Sequence, residues 1–278
     1  MMKQSDQPGR LILELVDGLD INYSIERSFK VSGNALLGNR FLLAINKTRI
    51  AQEKRHRQIV DVCRQIGMPD KFLEAFEENL PDAETVDFGF EENERDCIYK
   101  VYLDFLSKWR KEVSGTPREC DPFVMFFGYK WDSRDPGKRT LTRYVWYPSI
   151  SFERIKKNFS EIFQGQEHLE PLQIAKDLMD IVSKQTTPDN VYYLDVSEAN
   201  SLRRSFDLNI YKAGLKLKQL YPLLARTFSH YSILAETFHP LYNPIRTKTF
   251  GHLSGGIGRD GKDFLTVYYG LEEIVKNH

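Results

Sequence analysis

The strongest constraint on the fold of this chain is a run of paired strand patterns, with a helical pattern between one pair and the next. Apolar residues recur at every second position within the strands, and turn signals such as Asp-Pro-Gly at 135–137 and Asp-Gly at 260–261 join the partners. The predicted pairs are 19–31 with 39–46, 84–91 with 97–106, 122–132 with 140–148, 190–198 with 204–212, and 247–257 with 263–270. Five such pairs predict an α/β (α+β) fold with about ten antiparallel strands.

Between the pairs, apolar residues recur at helical spacing. They predict a helix with its apolar face at 59–66, a second helix that opens at Pro171, and a third over 217–224 that bends or breaks at Pro222. The connection between the second and third pairs predicts only a short helix at 107–113. The chain is therefore a fivefold repeat of strand, strand and helix.

No linker divides this repeat, so we expect a single domain over residues 1–278, with 1–18 as an N-terminal extension. Ten antiparallel strands with helices in the crossovers predict a closed barrel surrounded by helices, wide enough to hold a ligand. An open sheet with one solvated polar face satisfies the same alternation, so the pattern alone leaves that alternative open.

Composition excludes several classes of protein. The 278 residues carry 39 basic and 39 acidic side chains, and this zero net charge argues against a general binder of nucleic acid or anionic membranes. No apolar run approaches the roughly 20 residues that span a bilayer. Cys63, Cys97 and Cys120 show no C-x-x-C spacing, and the histidines show no metal-ligand spacing. We therefore expect a reduced, cytoplasmic protein without structural zinc, and we expect it to be a monomer.

The polar faces of the strands suggest the chemistry. If helices cover the apolar faces, basic residues such as Arg40, Lys100 and Arg143 meet several tyrosines in one lumen. Buried cations need an anion, while tyrosines offer hydroxyl donors to phosphate and ring faces to a cation. An anion clamp with aromatic walls is what the ionisation of an allylic diphosphate requires.

One glycine pattern points elsewhere and is rejected. Gly256-x-Gly258-x-x-Gly261 matches a dinucleotide-binding fingerprint as a string, but that motif needs a helix after the glycines. Here another strand pattern follows at 263–270, so the glycines indicate a hairpin.

Several short stretches carry a resemblance to a known family. They are Tyr-Ser-Ile-Glu-Arg-Ser-Phe-Lys-Val at 23–31, Asn-Arg-Phe-Leu-Leu at 39–43, Lys-Thr at 47–48, Lys100, and Ser-Glu-Ala-Asn at 197–200. Together with the order of strand pairs, they resemble the ABBA-fold prenyltransferases, specifically the peptide prenyltransferases of cyanobactin pathways. The resemblance covers about residues 20–270. It implies transfer of a dimethylallyl, or alternatively a geranyl, group from an allylic diphosphate to a peptide.

The resemblance also implies residue roles. Glu26 matches an acid that serves as general base or stabilises a cation; the alternative is a surface residue paired with Arg27 or Lys30. The implied diphosphate ligands are Arg40, Lys100, Arg143 and Lys130, and the implied aromatic shield is Tyr102, Tyr147, Tyr211 and Tyr268. Tyr193 falls where the family sets the depth of the prenyl pocket, which favours the five-carbon donor.

The acceptor is less constrained. Asp195 and Asp104 are predicted to face the lumen in addition to Glu26, and a guanidinium needs several carboxylates to hold it. We therefore expect N-prenylation of an arginine in a peptide. Alternatives are a Tyr, Trp or His acceptor, a small free aromatic molecule, or a non-catalytic barrel that binds a hydrophobic anion. Asp104 and Asp195 could instead pair with Lys100 and Arg143. Mg²⁺ is expected only as a counter-ion of the diphosphate.

Overall fold

A computed structural model describes residues 7–112, 121–135, 137–199 and 201–276. Its strands are β1 (Tyr23–Ser32), β2 (Ala35–Leu37), β3 (Arg40–Asn46), β4 (Thr85–Glu92), β5 (Cys97–Asp104), β6 (Phe123–Asp132), β7 (Arg139–Trp146), β8 (Tyr192–Glu198), β9 (Arg204–Asn209), β10 (Phe250–Ile257) and β11 (Asp263–Ile274). All pairings are antiparallel, and β11 pairs with β1 from Tyr23↔Ile274 to Val31↔Leu265. That pairing closes a barrel of ten strands, which are β1 together with β3 through β11. The three-residue β2 pairs with β1 beside the barrel. The predicted barrel is confirmed and the open sheet is wrong.

Helices occupy the crossovers. They are α2 (Gln52–Gln65), α3 (Asp70–Asn79), α4 (Leu106–Glu112), α5 (Phe152–Ile162), α6 (Glu170–Val182), α7 (Tyr221–His230) and α8 (Ala235–Ile245), and a further helix, α1 (Gln7–Asp17), precedes β1. The predicted break near Pro222 is present, because a 3-10 turn at Leu217–Leu220 precedes α7, whose first turn contains the proline. Residue 113, at the end of the predicted short helix, lies outside the described residues. None of the described helices is both long enough and apolar enough to span a membrane.

The hydrophobic core lies between the outer face of the barrel and the helices. Outward-facing residues of β8 to β11 and β1 pack against α5 to α8, as in the contact of Phe159 with Phe206, whose ring centroids are 4.4 Å apart. Outward-facing residues of β3 to β6 pack against α1 to α3. Burial of these apolar faces holds the helices on the barrel, and the alternate residues of each strand therefore face the lumen.

Strand β8 faces the opposite way from the prediction. Leu194 and Val196 pair with the lumen-facing Trp146 and Tyr144 of β7, so these apolar residues share the lumen. Tyr193 is completely buried in the outer core. One face of 192–197 carries the large Tyr193 and the other carries the smaller Leu194 and Val196. The Tyr193 ring packs against Phe159 and fills the larger space beneath α5, so its face lies outside.

The hairpins that join β4 to β5, β6 to β7, β8 to β9, and β10 to β11 all lie at one end of the barrel, while the helical crossovers lie at the other. We call these the hairpin end and the crossover end. The glycines at 256, 258 and 261 belong to the β10–β11 hairpin, as predicted, and Gly261 adopts a positive φ of 76° in its turn.

Candidate active site

The barrel encloses a cavity of about 570 Å³, within the range of roughly 300–1,000 Å³ typical of small-molecule sites. Each of the ten barrel strands contributes at least one lining side chain. The lining includes exposed residues of the hairpins, such as Lys138 and Arg259, and buried residues closer to the crossover end, such as Glu26. The cavity therefore runs from an open mouth at the hairpin end into the barrel.

Basic side chains gather in the half of the cavity towards the hairpin end. They are Lys30, Arg40, Lys100, Lys130, Arg203 and Arg259, and the exposed Lys138 and Arg139 also line the cavity. Arg40 is only 6% exposed; its Nε donates to Ser28 Oγ at 3.1 Å, and its Nη1 donates to Glu91 Oε2. The same Glu91 oxygen accepts a hydrogen bond from Lys100 Nζ. Glu91 thus ties together two of the predicted diphosphate ligands.

Burial shifts the protonation of this cluster. It lowers the pKa of Lys100 to about 7, and the charges of Arg40 and Lys30 act in the same direction, against the opposing effect of Glu91. Burial also holds the pKa of Lys130 well below its ordinary value. Although burial favours a neutral Glu91, the charges of Arg40 and Lys100 hold the pKa of that carboxyl well below its usual range. An anion beside these lysines would stabilise their charged forms.

A second carboxylate, Glu198, organises the other basic residues. It accepts hydrogen bonds from Arg203 Nη1 at 2.8 Å and from Arg259 Nε and Nη2 at 2.7 and 2.8 Å. Burial would raise the pKa of Glu198, but the two guanidinium groups together with Lys130 bring it down to about 2. Glu198 therefore stays ionised and holds both arginines at the mouth.

Aromatic rings lie directly beside the cations. Lys130 Nζ donates to Tyr144 Oη at 3.1 Å and lies 5.8 and 5.5 Å from the ring centroids of Tyr102 and Tyr144. These two rings meet edge to face at 5.8 Å. Gly128 leaves room for them, because a Cβ there would lie 2.8 Å from the Tyr102 ring. The electron-rich ring faces suit a carbocation formed next to a bound anion.

Acidic residues occupy the deeper part of the cavity. Glu26 is 5% exposed and accepts a hydrogen bond from the Tyr211 hydroxyl. His252 Nε2 lies 3.9 Å from Glu26 Oε1, and its Nδ1 lies 2.8 Å from Asp207 Oδ1. Asp87 lines the same part of the cavity. The alternative of a surface-exposed Glu26 is wrong.

These groups set one another's charges. Burial raises the pKa of Glu26, partly offset by His252 and Tyr211. Burial lowers the pKa of His252, but the carboxylates of Asp207, Glu26 and Asp87 outweigh it and raise that pKa to about 9. Burial, with the charges of Asp104 and Glu26, raises the pKa of Asp87 well above its ordinary value. The site therefore holds a protonated imidazole beside a carboxylate that can take up a proton.

The structure brings seven of the predicted site residues to the lumen side, and it corrects four. Glu26, Arg40, Lys100, Lys130, Tyr102 and Tyr268 line the cavity, and Tyr211 reaches it through Glu26.

Arg143 does not belong to the clamp: its neighbours Thr142 and Tyr144 face inwards, so Arg143 points outwards and is exposed. Tyr147, Tyr193 and Asp195 also lie outside, where both tyrosine hydroxyls hydrogen bond to Asp195. The inner faces predicted for the sixth and seventh strands are therefore wrong.

Asp104 faces the barrel interior but does not line the cavity. Its Oδ1 accepts a hydrogen bond from the Leu106 amide at 2.8 Å, so it caps the start of α4 at the crossover end. Burial is the main cause that raises its pKa to about 6. Neither Asp104 nor Asp195 forms an ion pair with Lys100 or Arg143, so that expected pairing is wrong as well.

Sequence reasoning missed several lining residues, chiefly Lys30, Glu91, Tyr144, Arg203 and His252. The alternation could have found Lys30, Glu91 and Tyr144, because each shares a face with a predicted site residue or with its paired neighbour. Arg203 and Arg259 lie in hairpins, where no periodicity reports direction. The significance of His252 depends on contacts with β1 and β9 that are distant in the chain.

A closed barrel of ten antiparallel strands, surrounded by helices and holding a polar lumen, is the architecture of the ABBA prenyltransferases, and this chain has that fold. No model of a known protein family matches the chain, and no curated protein matches it in sequence.

Solved structures are similar to it. A 6-dimethylallyltryptophan synthase from Micromonospora olivasterospora in complex with DMASPP and Trp has a TM-score of 0.58 at 14% identity, covering 88% of this chain and 81% of that one. A 5-dimethylallyltryptophan synthase from Streptomyces coelicolor has a TM-score of 0.57 at 11% identity, covering 88% and 80%. The prenyltransferase PriB with product diphosphate has a TM-score of 0.58 at 10% identity, covering 88% and 79%. At these identities the likeness establishes the fold.

Proposed function

We propose that this chain is a prenyltransferase that moves a dimethylallyl group from dimethylallyl diphosphate to a nucleophilic side chain. The observation that carries the proposal is a single lumen inside the closed barrel, where buried basic residues, tyrosine rings and the buried Glu26 follow one another from the mouth inwards. Two of the similar structures support the donor class, since they contain DMASPP and product diphosphate.

The geometry supports a three-part mechanism. The diphosphate lies among Arg40, Lys100 and Lys130, which stabilise the negative charge that develops as the bond between carbon 1 and the bridging oxygen breaks. Pyrophosphate leaves with the electron pair, and the rings of Tyr102 and Tyr144 face the allylic cation and exclude water. The acceptor forms the new bond to carbon.

Glu26 then takes the proton released by the acceptor. Its raised pKa brings the carboxylate closer to the range in which a general base works near neutral pH. Protonated His252 beside it keeps part of the Glu26 population ionised before the reaction. This assigns Glu26 a catalytic role and His252 a positioning role.

For the acceptor, we propose a side chain of a peptide, with arginine as the leading candidate. The two acids Asp104 and Asp195 no longer support this, but Asp87 and Asp207 place two further carboxyl groups near Glu26, and a guanidinium fits several carboxylates. Tryptophan is the second candidate, because the similar dimethylallyltryptophan synthase was crystallised with Trp. Resemblance to the cyanobactin-pathway enzymes supports the peptide context.

Tyr193 lies outside the lumen, so it does not set the length of the donor. The donor and the acceptor share the cavity of about 570 Å³. The apolar side chains of Leu42, Phe126, Leu194 and Phe264 line it and limit the space inside it. This supports the five-carbon donor, and geranyl diphosphate is the alternative.

No group of three or more His, Cys, Asp or Glu side chains within the described residues is arranged to hold a metal ion. We propose that Mg²⁺, where the reaction uses it, would be held by the diphosphate oxygens as a counter-ion. Donor binding measured with Mg²⁺ and with EDTA tests this.

We further propose a cytoplasmic monomer. Cys63 and Cys97 are buried and free, which fits a reducing compartment, and Cys120 lies outside the described residues. Light scattering after gel filtration measures the oligomeric state.

The decisive experiment combines product formation with donor binding. Peptides containing Arg, Trp, Tyr or His, and the corresponding free amino acids, are incubated with five- and ten-carbon donors and examined by mass spectrometry. Glu26→Gln is expected to lose at least about 100-fold in rate while it still binds dimethylallyl thiolodiphosphate in calorimetry. The matched control Glu236→Gln, at an exposed position on α8, should behave as wild type. Binding without any product would instead support a carrier of hydrophobic anions.

A further inference from the structure

Two β-bulges interrupt the barrel wall at the level of Glu26, near the crossover end. Strand β11 carries one extra residue between the pairs that it forms with Ile25 and Arg27 of β1, and Glu26 lies between those two pairs. Strand β10 carries Gly251 as an extra residue opposite β11. Bulges take backbone groups out of the ladder and are frequent next to active sites.

The ring of Tyr211 occupies the space that the bulges leave. A Cβ at Gly251 would lie 2.3 Å from the ring carbon that carries the Tyr211 hydroxyl, so a side chain there would displace the ring. The hydroxyl donates to Glu26 Oε1 and accepts a hydrogen bond at 3.2 Å from the backbone N–H of Leu271, a residue of the β11 bulge. The bulges therefore hold the Tyr211 hydroxyl against Glu26.

This hydroxyl lies between the buried carboxyl of Glu26 and the surface at the crossover end. Glu26 is only 5% exposed, whereas Tyr211 is half-buried and Leu271 is 52% exposed. The other ionisable groups that act on Glu26 all line the lumen; they are His252, Asp207, Asp87 and Tyr268. These four groups can move a proton within the lumen, and Tyr211 is placed to move one out of it.

We propose that Tyr211 passes the proton from Glu26 to water at the crossover end, while the diphosphate enters and leaves at the hairpin end. The inference rests on the proposed function and adds a positioning residue to it. Protonated Glu26 donates to Tyr211 Oη as the Tyr211 hydroxyl gives its own proton to water. One proton reaches the solvent, Glu26 returns to the carboxylate and the phenol stays neutral throughout.

Two observations fit this route. Burial raises the pKa of Tyr211, so the phenol exchanges one proton for another and does not ionise. In the proposed reaction, pyrophosphate and the prenylated acceptor fill the lumen between Glu26 and the mouth. A proton taken up by Glu26 would otherwise stay there until the products leave, a step that is often slow.

The test counts protons in a single turnover with enzyme in excess over dimethylallyl diphosphate. Stopped flow with a pH indicator in weak buffer measures protons, and rapid quench measures product, with the acceptor that the mass spectrometry identifies. In wild type, the Glu26 proton is expected to reach the solvent at the rate of product formation. In Tyr211→Phe, about one proton fewer should appear in that phase. Protons exchanged by the diphosphate and its lysines are common to both proteins and cancel in the difference.

A second variant and a matched control accompany Tyr211→Phe. Gly251→Ala should displace the Tyr211 ring and show the same deficit of about one proton. Tyr193→Phe is the control, because its hydroxyl also donates to a carboxylate, that of Asp195, but outside the lumen. Its proton count should equal that of wild type. All three variants should bind dimethylallyl thiolodiphosphate as wild type does, since the donor site lies towards the hairpin end.

The outcomes separate this route from a structural role and from the proposed function. A full proton count in Tyr211→Phe or in Gly251→Ala would overturn the proposal, and so would an equal deficit in Tyr193→Phe. Loss of donor binding identifies a variant that has not folded, and the other variant then decides. Absence of product with every acceptor contradicts the prenyltransferase itself, whereas product with an unchanged proton count removes only the route through Tyr211.

Discussion

Proton uptake at Lys100 is the sharpest test of the cation cluster. In the free protein, burial and the neighbouring charges lower the pKa of Lys100 to about 7, so this ammonium is about half neutral at pH 7. A diphosphate beside it favours the charged form. If only charged Lys100 supports donor binding, the apparent dissociation constant rises by a factor of 1 + 10^(pH − 7), which is about 1.1 at pH 6 and about 11 at pH 8. At pH 8, Lys100 contributes about 0.9 proton taken up per donor bound.

The assay is calorimetry with dimethylallyl thiolodiphosphate at pH 6, 7 and 8, in buffers with different enthalpies of ionisation. Lys100→Arg is the matched comparison, because a guanidinium stays charged throughout this range. The titration of the donor's own phosphates is common to both proteins and cancels in the difference. An equal proton count and an equal pH dependence in the two proteins would show that donor binding does not charge Lys100, and would refute this reasoning.

Three further predictions concern the neighbouring residues. His252→Gln removes a positive charge beside Glu26 and should raise the pKa of that carboxyl further, so the acid limb of the kcat/KM profile moves to higher pH. Glu198→Gln leaves Arg203 and Arg259 without their carboxylate and should lower the free energy of unfolding in urea by about 2 kcal/mol, a value reduced because Arg259 is 55% exposed. Gly128→Ala places a Cβ 2.8 Å from the Tyr102 ring and should slow product formation about 10- to 100-fold with donor affinity maintained.

The fold was largely predictable from the sequence, because it depends on local signals. Alternation, hairpin turns and helical spacing all lie within short windows, and the sequence predicts each pair of strands with one helix in each crossover, but it does not predict α3, α5 and α8. Local patterns do not show that β11 pairs with β1, because the paired residues are more than 200 positions apart. That closure was predicted from the strand count and the resemblance.

The candidate site was predictable only where one face of a strand was clearly polar. On β5 the apolar residues form one unambiguous face, so the predicted lumen position of Lys100 is correct. On β3 the face of Arg40 also carries Leu42 and Ala44, and its correct placement depended on the resemblance as well. On β8 both faces are partly apolar, so the predicted inner face is displaced by one residue. Leu194 and Val196 face the lumen in place of the predicted Tyr193 and Asp195. A tyrosine with its hydroxyl bonded to a carboxylate is a stable core residue, so its polarity gave no reliable indication of the lumen.

The distribution of charge along the lumen explains how one barrel can hold so many ionisable groups. Eight lysines and arginines line this cavity, and buried together they would repel one another and lose hydration. Glu91 binds Arg40 and Lys100, and Glu198 binds Arg203 and Arg259, whereas Lys30 and Lys130 have no carboxylate partner among the described residues. Those two lysines lie against rings instead, Lys30 at 4.7 Å from the Phe264 centroid and Lys130 beside Tyr102 and Tyr144. In the proposed reaction, an entering diphosphate therefore meets the lysines that have no carboxylate partner at the aromatic wall. The bond that breaks would then lie beside ring faces rather than water.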